Sequence, residues 1–131
     1  MNRTEIMNHT FINPFAVFAV VSLPGGEIAA TTRASDRGEA GRIGLPGGKV
    51  DPGETPVEAV LREAAEEGWD IDGVDPTPIH SQLVEGKPVL WFRAHTATLR
   101  ASYKEQGRIR PVTASPAQIA ASGFGNDNLS L

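Results

Sequence analysis

The stretch from Gly44 to Gly68 constrains this chain more than any other, because it specifies a turn-rich loop, a helix and both helix ends. Pro46-Gly47-Gly48 and Pro52-Gly53 interrupt any regular element before the helix. Thr55 can then N-cap it, Pro56 suits the first helical position, and Glu58 completes a Thr-x-x-Glu capping box. Val57, Val60, Leu61 and Ala64 recur at helical spacing and form the expected buried stripe. Gly68 is the expected stop.

Late in that helix, Glu63, Glu66 and Glu67 fall close together, and Glu63 lies one turn from both others. Like charges at that spacing each cost a helix roughly 0.2–0.5 kcal/mol, and acidic groups near the C-terminus oppose the macrodipole. The face could be merely solvated, with Glu58 and Arg62 an ordinary i,i+4 pair. A hard divalent cation gives it another use, because such an ion takes carboxylate oxygens and keeps room for water and phosphate. The loop Gly44-Leu45-Pro46-Gly47-Gly48-Lys49 favours the second reading, since paired glycines let backbone approach a ligand and turn carbonyl oxygens inward. Glu54 adds a carboxylate at the other end of the same element.

The rest of the chain reads as strands with one further helix. Residues 15–23 are rich in Val and Phe and stop at Pro24-Gly25-Gly26, and Glu27–Arg33 reads as the return strand. Ser35–Gly41 is a polar loop; Ile79–Glu85 and Lys87–Leu99 form two strands about a turn at Gly86. Ser115-Pro116 opens a short helix through Ala121, and Gly123–Leu131 is polar and irregular. This order predicts one α+β or mixed α/β domain across residues 1–131.

Several function classes drop out. A formal net charge of −4 argues against a general nucleic-acid surface. The absence of cysteine removes disulfides, thiol catalysis and cysteine-ligated zinc. His9, His80 and His95 lack metal-ligand spacing. The apolar run Pro14–Leu23 is too short to span a bilayer, and its flanks suit a signal peptide badly. A cytoplasmic protein with no membrane partner is therefore expected.

Written as Gly48-x5-Glu54-x7-Arg62-Glu63-Ala64-x-Glu66-Glu67, the segment resembles the signature of the Nudix hydrolase family. That signature next expects any residue, then Gly; here Gly68 follows Glu67 directly and Trp69 holds the glycine position, as though one residue were deleted. The resemblance implies an α/β/α sandwich with a mixed central sheet and a loop–helix–loop motif. It also implies magnesium, or manganese, held by the Gly47 carbonyl, Glu63, Glu66 and Glu67, with Arg62 and Glu54 keeping helix and loop in register.

Within the family, the chain resembles the MutT-like nucleoside triphosphate pyrophosphohydrolases. On that pattern Arg33 falls where phosphate or sugar is contacted and Leu45 near the nucleobase. Lys104-Glu105 resembles a loop supplying an extra carboxylate, and Phe124-Gly125-Asn126 one whose asparagine reads a purine. A solvated loop charge and a turn residue are the plain alternatives for Glu105 and Asn126. Lys49 and Arg108 are further candidates to hold phosphates, and Glu67 or Glu105 to take a proton. The implied reaction converts a canonical or oxidised nucleoside triphosphate to monophosphate and pyrophosphate, by a monomer or homodimer acting on a small nucleotide. Dinucleoside polyphosphates, nucleotide sugars, RNA 5′ ends or a non-catalytic nucleotide-binding module are the alternatives.

Overall fold

The computed structural model describes residues 14–33 and 43–122. Along the chain run β1 (Ala16–Val20), β2 (Ile28–Arg33), β3 (Ile43–Gly44), β4 (Gly47–Lys49), α1 (Pro56–Glu66), β5 (Trp69–Asp72), β6 (His80–Val84), β7 (Lys87–Arg93), β8 (Thr96–Leu99), β9 (Ile109–Ala114) and α2 (Pro116–Ser122).

An uninterrupted apolar strand must bury both faces, and β1 runs through the middle of a mixed sheet ordered β4-β1-β7-β6. It pairs in parallel with β7 and antiparallel with β4. Alternation then sends side chains to opposite sides. Val17, Ala19, Leu90 and Phe92 join Val60, Ala64 and Trp69 in one core, on the α1 side. Ala16, Val89 and Trp91 join Leu45, Ala114 and Ile119 of α2 in the other. A helix thus covers each face, which is the α/β/α arrangement expected. Two smaller antiparallel sheets, β3-β2-β9 and β5-β8, complete the framework.

The early hairpin forms where the sequence places it. Leu23 N–H donates to the Glu27 carbonyl at 2.7 Å, and Gly25 and Gly26 take the positive φ of 89° and 85° that the turn needs.

Elsewhere the strands differ from expectation. Lys87–Leu99 is two strands, not one, because the chain changes partners at Ala94-His95. Ala94 N–H reaches the Val20 carbonyl at 3.1 Å, and His95 N–H reaches the Asp72 carbonyl at 2.9 Å. β5, β9 and the very short β3 and β4 add strands that the sequence reading lacks. The loop Ser35–Gly41 and the tail Gly123–Leu131 lie outside the described residues. No helix among the described residues is long and apolar enough to cross a membrane.

Candidate functional site

Helix α1 begins as its sequence demands. Thr55 Oγ1 accepts from the Glu58 N–H at 3.1 Å, and the Thr55 N–H returns a bond to Glu58 Oε1 at 2.8 Å. Glu58 is therefore committed to the cap, and its expected pairing with Arg62 gives way to a different set of partners. The buried stripe also differs from expectation. Ala59, Val60 and Ala64 are buried, whereas Leu61 is 39% exposed. The small side chains at 59 and 64 let the helix lie close on the sheet. Glu67 stands two turns after Val60 and hence on the same inward face, which explains why a carboxylate is only 8% exposed.

Gly68 ends the helix at φ +101°, a conformation that suits glycine, and an added Cβ would meet Pro111 Cγ of β9 at 2.7 Å. The chain enters β5 at once, with Trp69 buried and its indole N–H donating to the Ala30 carbonyl at 2.8 Å. The early glycine thus sets Trp69 into the core without disturbing the spacing of the carboxylates.

Arg62 organises those carboxylates. Its guanidinium grips Glu54 with two bonds, Nε to Oε2 at 2.6 Å and Nη2 to Oε1 at 3.0 Å. Nη1 donates to Glu63 Oε1 at 3.0 Å and Glu66 Oε2 at 3.1 Å, while Nη2 also donates to the Lys49 carbonyl at 3.0 Å. One cation therefore ties loop to helix and offsets the repulsion between Glu63 and Glu66. The fork holds the Glu54 carboxyl below its usual range, and Glu54 in turn raises the guanidinium above its own.

The glycine pair serves contact rather than turning. A Cβ on Gly48 would strike the Glu63 carboxylate, and one on Gly47 would strike the Val17 carbonyl oxygen and Phe18. Gly47 opposes Phe18 across β4 and β1 in a pair that makes no ladder bonds, so its N–H and carbonyl both turn away from β1. The N–H donates to Glu67 Oε1 at 3.0 Å.

Burial pushes the Glu67 carboxyl up to about 8; the Gly47 N–H opposes this, while the charges of Glu63, Glu105 and Glu66 add to it. Burial also raises Glu63, against Arg62. Glu105 reaches this group because its own N–H donates to the Glu66 carbonyl at 2.8 Å, docking its loop on the end of α1.

Glu67 and Gly47 also line a cleft whose other walls come from distant strands. Phe18, Leu45 and Ile109 form its apolar part. Thr31, Thr32 and Arg33, successive residues of β2, form its polar part. The structure thus brings Arg33, Leu45, Gly47 and Glu67 into one space; Glu54, Arg62, Glu63, Glu66 and Glu105 do not line it, and Arg62 gathers Glu54, Glu63 and Glu66 to itself.

Lys49 and Arg108 do not line the cleft. The Lys49 ammonium lies 5.4 Å from the centroid of the Phe15 ring, and Arg108 pairs with Glu105 at 3.5 Å. Asn126 lies outside the described residues. Phe18, Thr31, Thr32 and Ile109 were missed by sequence reasoning, since nothing local marks them. The available signal was pairing: Phe18 stands opposite Gly47, and Arg33 opposite Ile109.

A hard divalent ion suits the donors present, which are carboxylate oxygens and a backbone carbonyl. Among the described residues, however, no three acidic or histidine side chains converge at ligating range. Their oxygens are spread about Arg62 instead, so a bound ion needs Glu63 or Glu66 to turn from it.

The chain is similar to known proteins in sequence and in fold. Residues 13–117 match the model of the NUDIX domain. The chain is 41% identical over 66 residues to the 8-oxo-dGTP diphosphatase of Escherichia coli K12, covering 50% of this chain and 46% of that protein. It therefore spans about half the length of that curated relative. A MutT structure from work on Aliivibrio salmonicida and Vibrio cholerae superposes with a TM-score of 0.67 at 19% identity, over 88% of this chain and 90% of that one. The MutT NUDIX hydrolase of Burkholderia pseudomallei gives 0.58 at 25% identity, over 80% of this chain and 84% of that one.

Proposed function

This chain belongs to the Nudix family, and from that premise we propose that it hydrolyses a nucleoside triphosphate, canonical or oxidised, to monophosphate and pyrophosphate. The observation that carries the reading is the cleft itself. A buried carboxylate, a cationic side chain and an apolar wall line one space, and the carboxylate belongs to the same helix as the Glu63 and Glu66 held by Arg62. Anhydride, outer phosphate and nucleobase need those three environments.

Glu63, Glu66, Glu67 and the Gly47 carbonyl would hold magnesium or manganese, with Glu105 alongside. When bound, such an ion neutralises phosphate charge and makes an attacking water more acidic. The protein's own groups do the rest. Arg62 and Glu54 keep the carboxylates aimed. Glu67, desolvated and held by the Gly47 N–H, would accept the water's proton, with Glu105 as the second candidate. Water oxygen bonds to phosphorus, the bridging P–O bond breaks, and pyrophosphate leaves. Arg33 would steady phosphate oxygens from the cleft wall. A cytoplasmic enzyme, active as monomer or homodimer on a small nucleotide, goes with this reading.

The test is to incubate the protein with magnesium and a panel of canonical and oxidised triphosphates, ADP-ribose, diadenosine polyphosphates and 5′-triphosphate RNA, and to identify products. The expected outcome is monophosphate plus pyrophosphate from at least one triphosphate. Turnover confined to the other compounds, or no turnover at all, overturns the proposal.

A further inference from the structure

A sheet edge presents a row of unpaired N–H and C=O groups, and folded chains guard it with charge, proline or shortness. Here β4 ends on Lys49, β5 carries Asp70 and Asp72, β9 carries Arg110 and Pro111, and β3 is two residues long. Among the described residues, β6 (His80–Val84) is the longest edge strand without a carboxylate, lysine, arginine or proline.

The direction of its backbone follows from the far side of β7. The Phe15 N–H donates to the Pro88 carbonyl at 2.8 Å, so Pro88 turns toward β1, and its neighbours Lys87 and Val89 turn toward β6. Val84 and Gln82, opposite them, therefore carry the ladder to β7. Ser81 and Leu83 point their N–H and C=O the other way, where no described strand pairs with them.

Side chains along this edge are open as well. Leu83 is 63% exposed and Ile79, just before the strand, 41% exposed; Ser81 between them is exposed too. Helix α1 rests on β1, β4 and β5 rather than on β6.

The pattern is its own complement. An antiparallel pairing of β6 with a second copy, about a two-fold axis at Ser81, sets the two Ser81 residues opposite one another. It also sets Ile79 opposite Leu83 of the partner subunit, twice over. The outward N–H and C=O of each Ser81 then bond reciprocally, and each exposed apolar side chain meets another. A foreign strand would have to match this spacing, whereas a second copy has it by symmetry.

We propose that β6 is a self-association edge, through which two copies of this chain join their four-stranded sheets into one of eight. The cleft stays open, because Phe18 lines it from the face shared by Trp91 and His80, and Leu83 lies on the opposite face. One short strand buries less than the roughly 800 Å² per partner of a standard interface, so the dimer is weak. The inference does not depend on the reaction proposed above, and its test needs no turnover.

The chain has no cysteine, so one introduced thiol reports where copies meet. Under mild oxidation Ser81→Cys should give a disulfide-linked dimer, since Cα atoms of a hydrogen-bonded antiparallel pair lie about 5.5 Å apart, within disulfide reach. Leu83→Cys should not, because the two copies of that position lie about 14 Å apart along the paired strands. In sedimentation equilibrium the unsubstituted protein should rise from one chain mass toward two between about 10 µM and 1 mM, as a small interface implies. Leu83→Lys should stay at one, with an unchanged circular dichroism spectrum, and Thr98→Lys on β8 should associate like the parent. A single-chain mass throughout, equal cross-linking of the two cysteine variants, or association undiminished by Leu83→Lys overturns the proposal. If Leu83→Lys fails to fold, the unsubstituted protein and the cysteine pair decide.

Discussion

The glutamate-bearing helix and the cleft wall make opposite uses of the chain. Between Gly47 and Glu67 every group that could handle charge comes from one continuous segment, fixed by its own cap, its own glycine stop and an arginine that binds carboxylates from the same segment. The cleft wall takes Phe18 from β1, Thr31 and Arg33 from β2, and Ile109 from β9, residues that meet only because the sheets pair. Local geometry suits a reaction that must be kept the same. An assembled wall suits recognition, because single residues can change without disturbing the helix. Substitutions in the first region should therefore abolish turnover whatever the base, and those in the second should redistribute it among bases.

The sharpest break would be Glu67→Gln. It keeps the shape of the side chain and removes the charge that ligates or accepts a proton, so kcat should fall by roughly 10²–10⁴-fold for every substrate. Metal-free stability should hold or rise, because folding no longer has to neutralise a carboxylate that is charged in the unfolded chain. Steady-state kinetics beside thermal melts in EDTA check both. Activity within a few-fold of the parent would move the chemistry away from this helix.

Glu67 also sets a pH dependence in the metal-free protein. Its folded value of about 8 lies above the ordinary 4.5, so the folded chain binds more protons than the unfolded one between those limits. Stability should thus fall as pH rises from about 4.5 to about 8 and then level off, by a few kcal/mol at about 1.4 kcal/mol per unit. Glu54, held low by Arg62, acts in the opposite sense: its contribution is present at neutral pH and lost in acid. Magnesium should raise the melting temperature more at pH 8 than at pH 5, and Glu67→Gln should flatten the slope. An EDTA melting temperature that climbs steadily from pH 5 to pH 8 would contradict the buried placement of this group.

Arg62→Lys tests whether the local region depends on geometry or on charge alone. Lysine keeps the cation but cannot span Glu54, Glu63, Glu66 and the Lys49 carbonyl together. A loss of about 1–3 kcal/mol of stability is expected by chemical denaturation, with activity reduced by a similar factor for all bases. A loss confined to one base would erase the contrast between the two regions.

The same contrast explains what could be read without coordinates. The capping box, the Gly68 stop and the early hairpin are local facts, and the structure repeats them. β3 and β4 were hidden because glycine and proline are depleted in strands, and only pairing with β2 and β1 makes strands of them. β9 was hidden by Pro111, which a sheet tolerates here because β9 lies at its edge. β8 was hidden inside one long apolar run, since a change of hydrogen-bonding partner leaves no trace in hydropathy. The placement of Phe18, Thr31 and Ile109 in the cleft depends on register across three strands, which no local pattern encodes. Glu105 was readable only as a resemblance; its docking to the Glu66 carbonyl is a tertiary fact.

The smallest expected effect concerns the helix face itself. An apolar pattern treats Leu61 and Val60 as equals, but Val60 is fully buried and Leu61 is 39% exposed. Leu61→Gln should therefore change stability by less than about 0.5 kcal/mol, the usual range for surface positions, whereas Val60→Ala should cost roughly 2 kcal/mol. Urea unfolding of both variants at equal ionic strength makes the comparison. Equal losses would mean that the helix is turned so that Leu61 shares the core. Because Glu67 stands in line with Val60, such a turn would bring the carboxylate out toward water and remove the cause of its raised pKa. The weakest substitution thus tests the orientation on which the largest one depends.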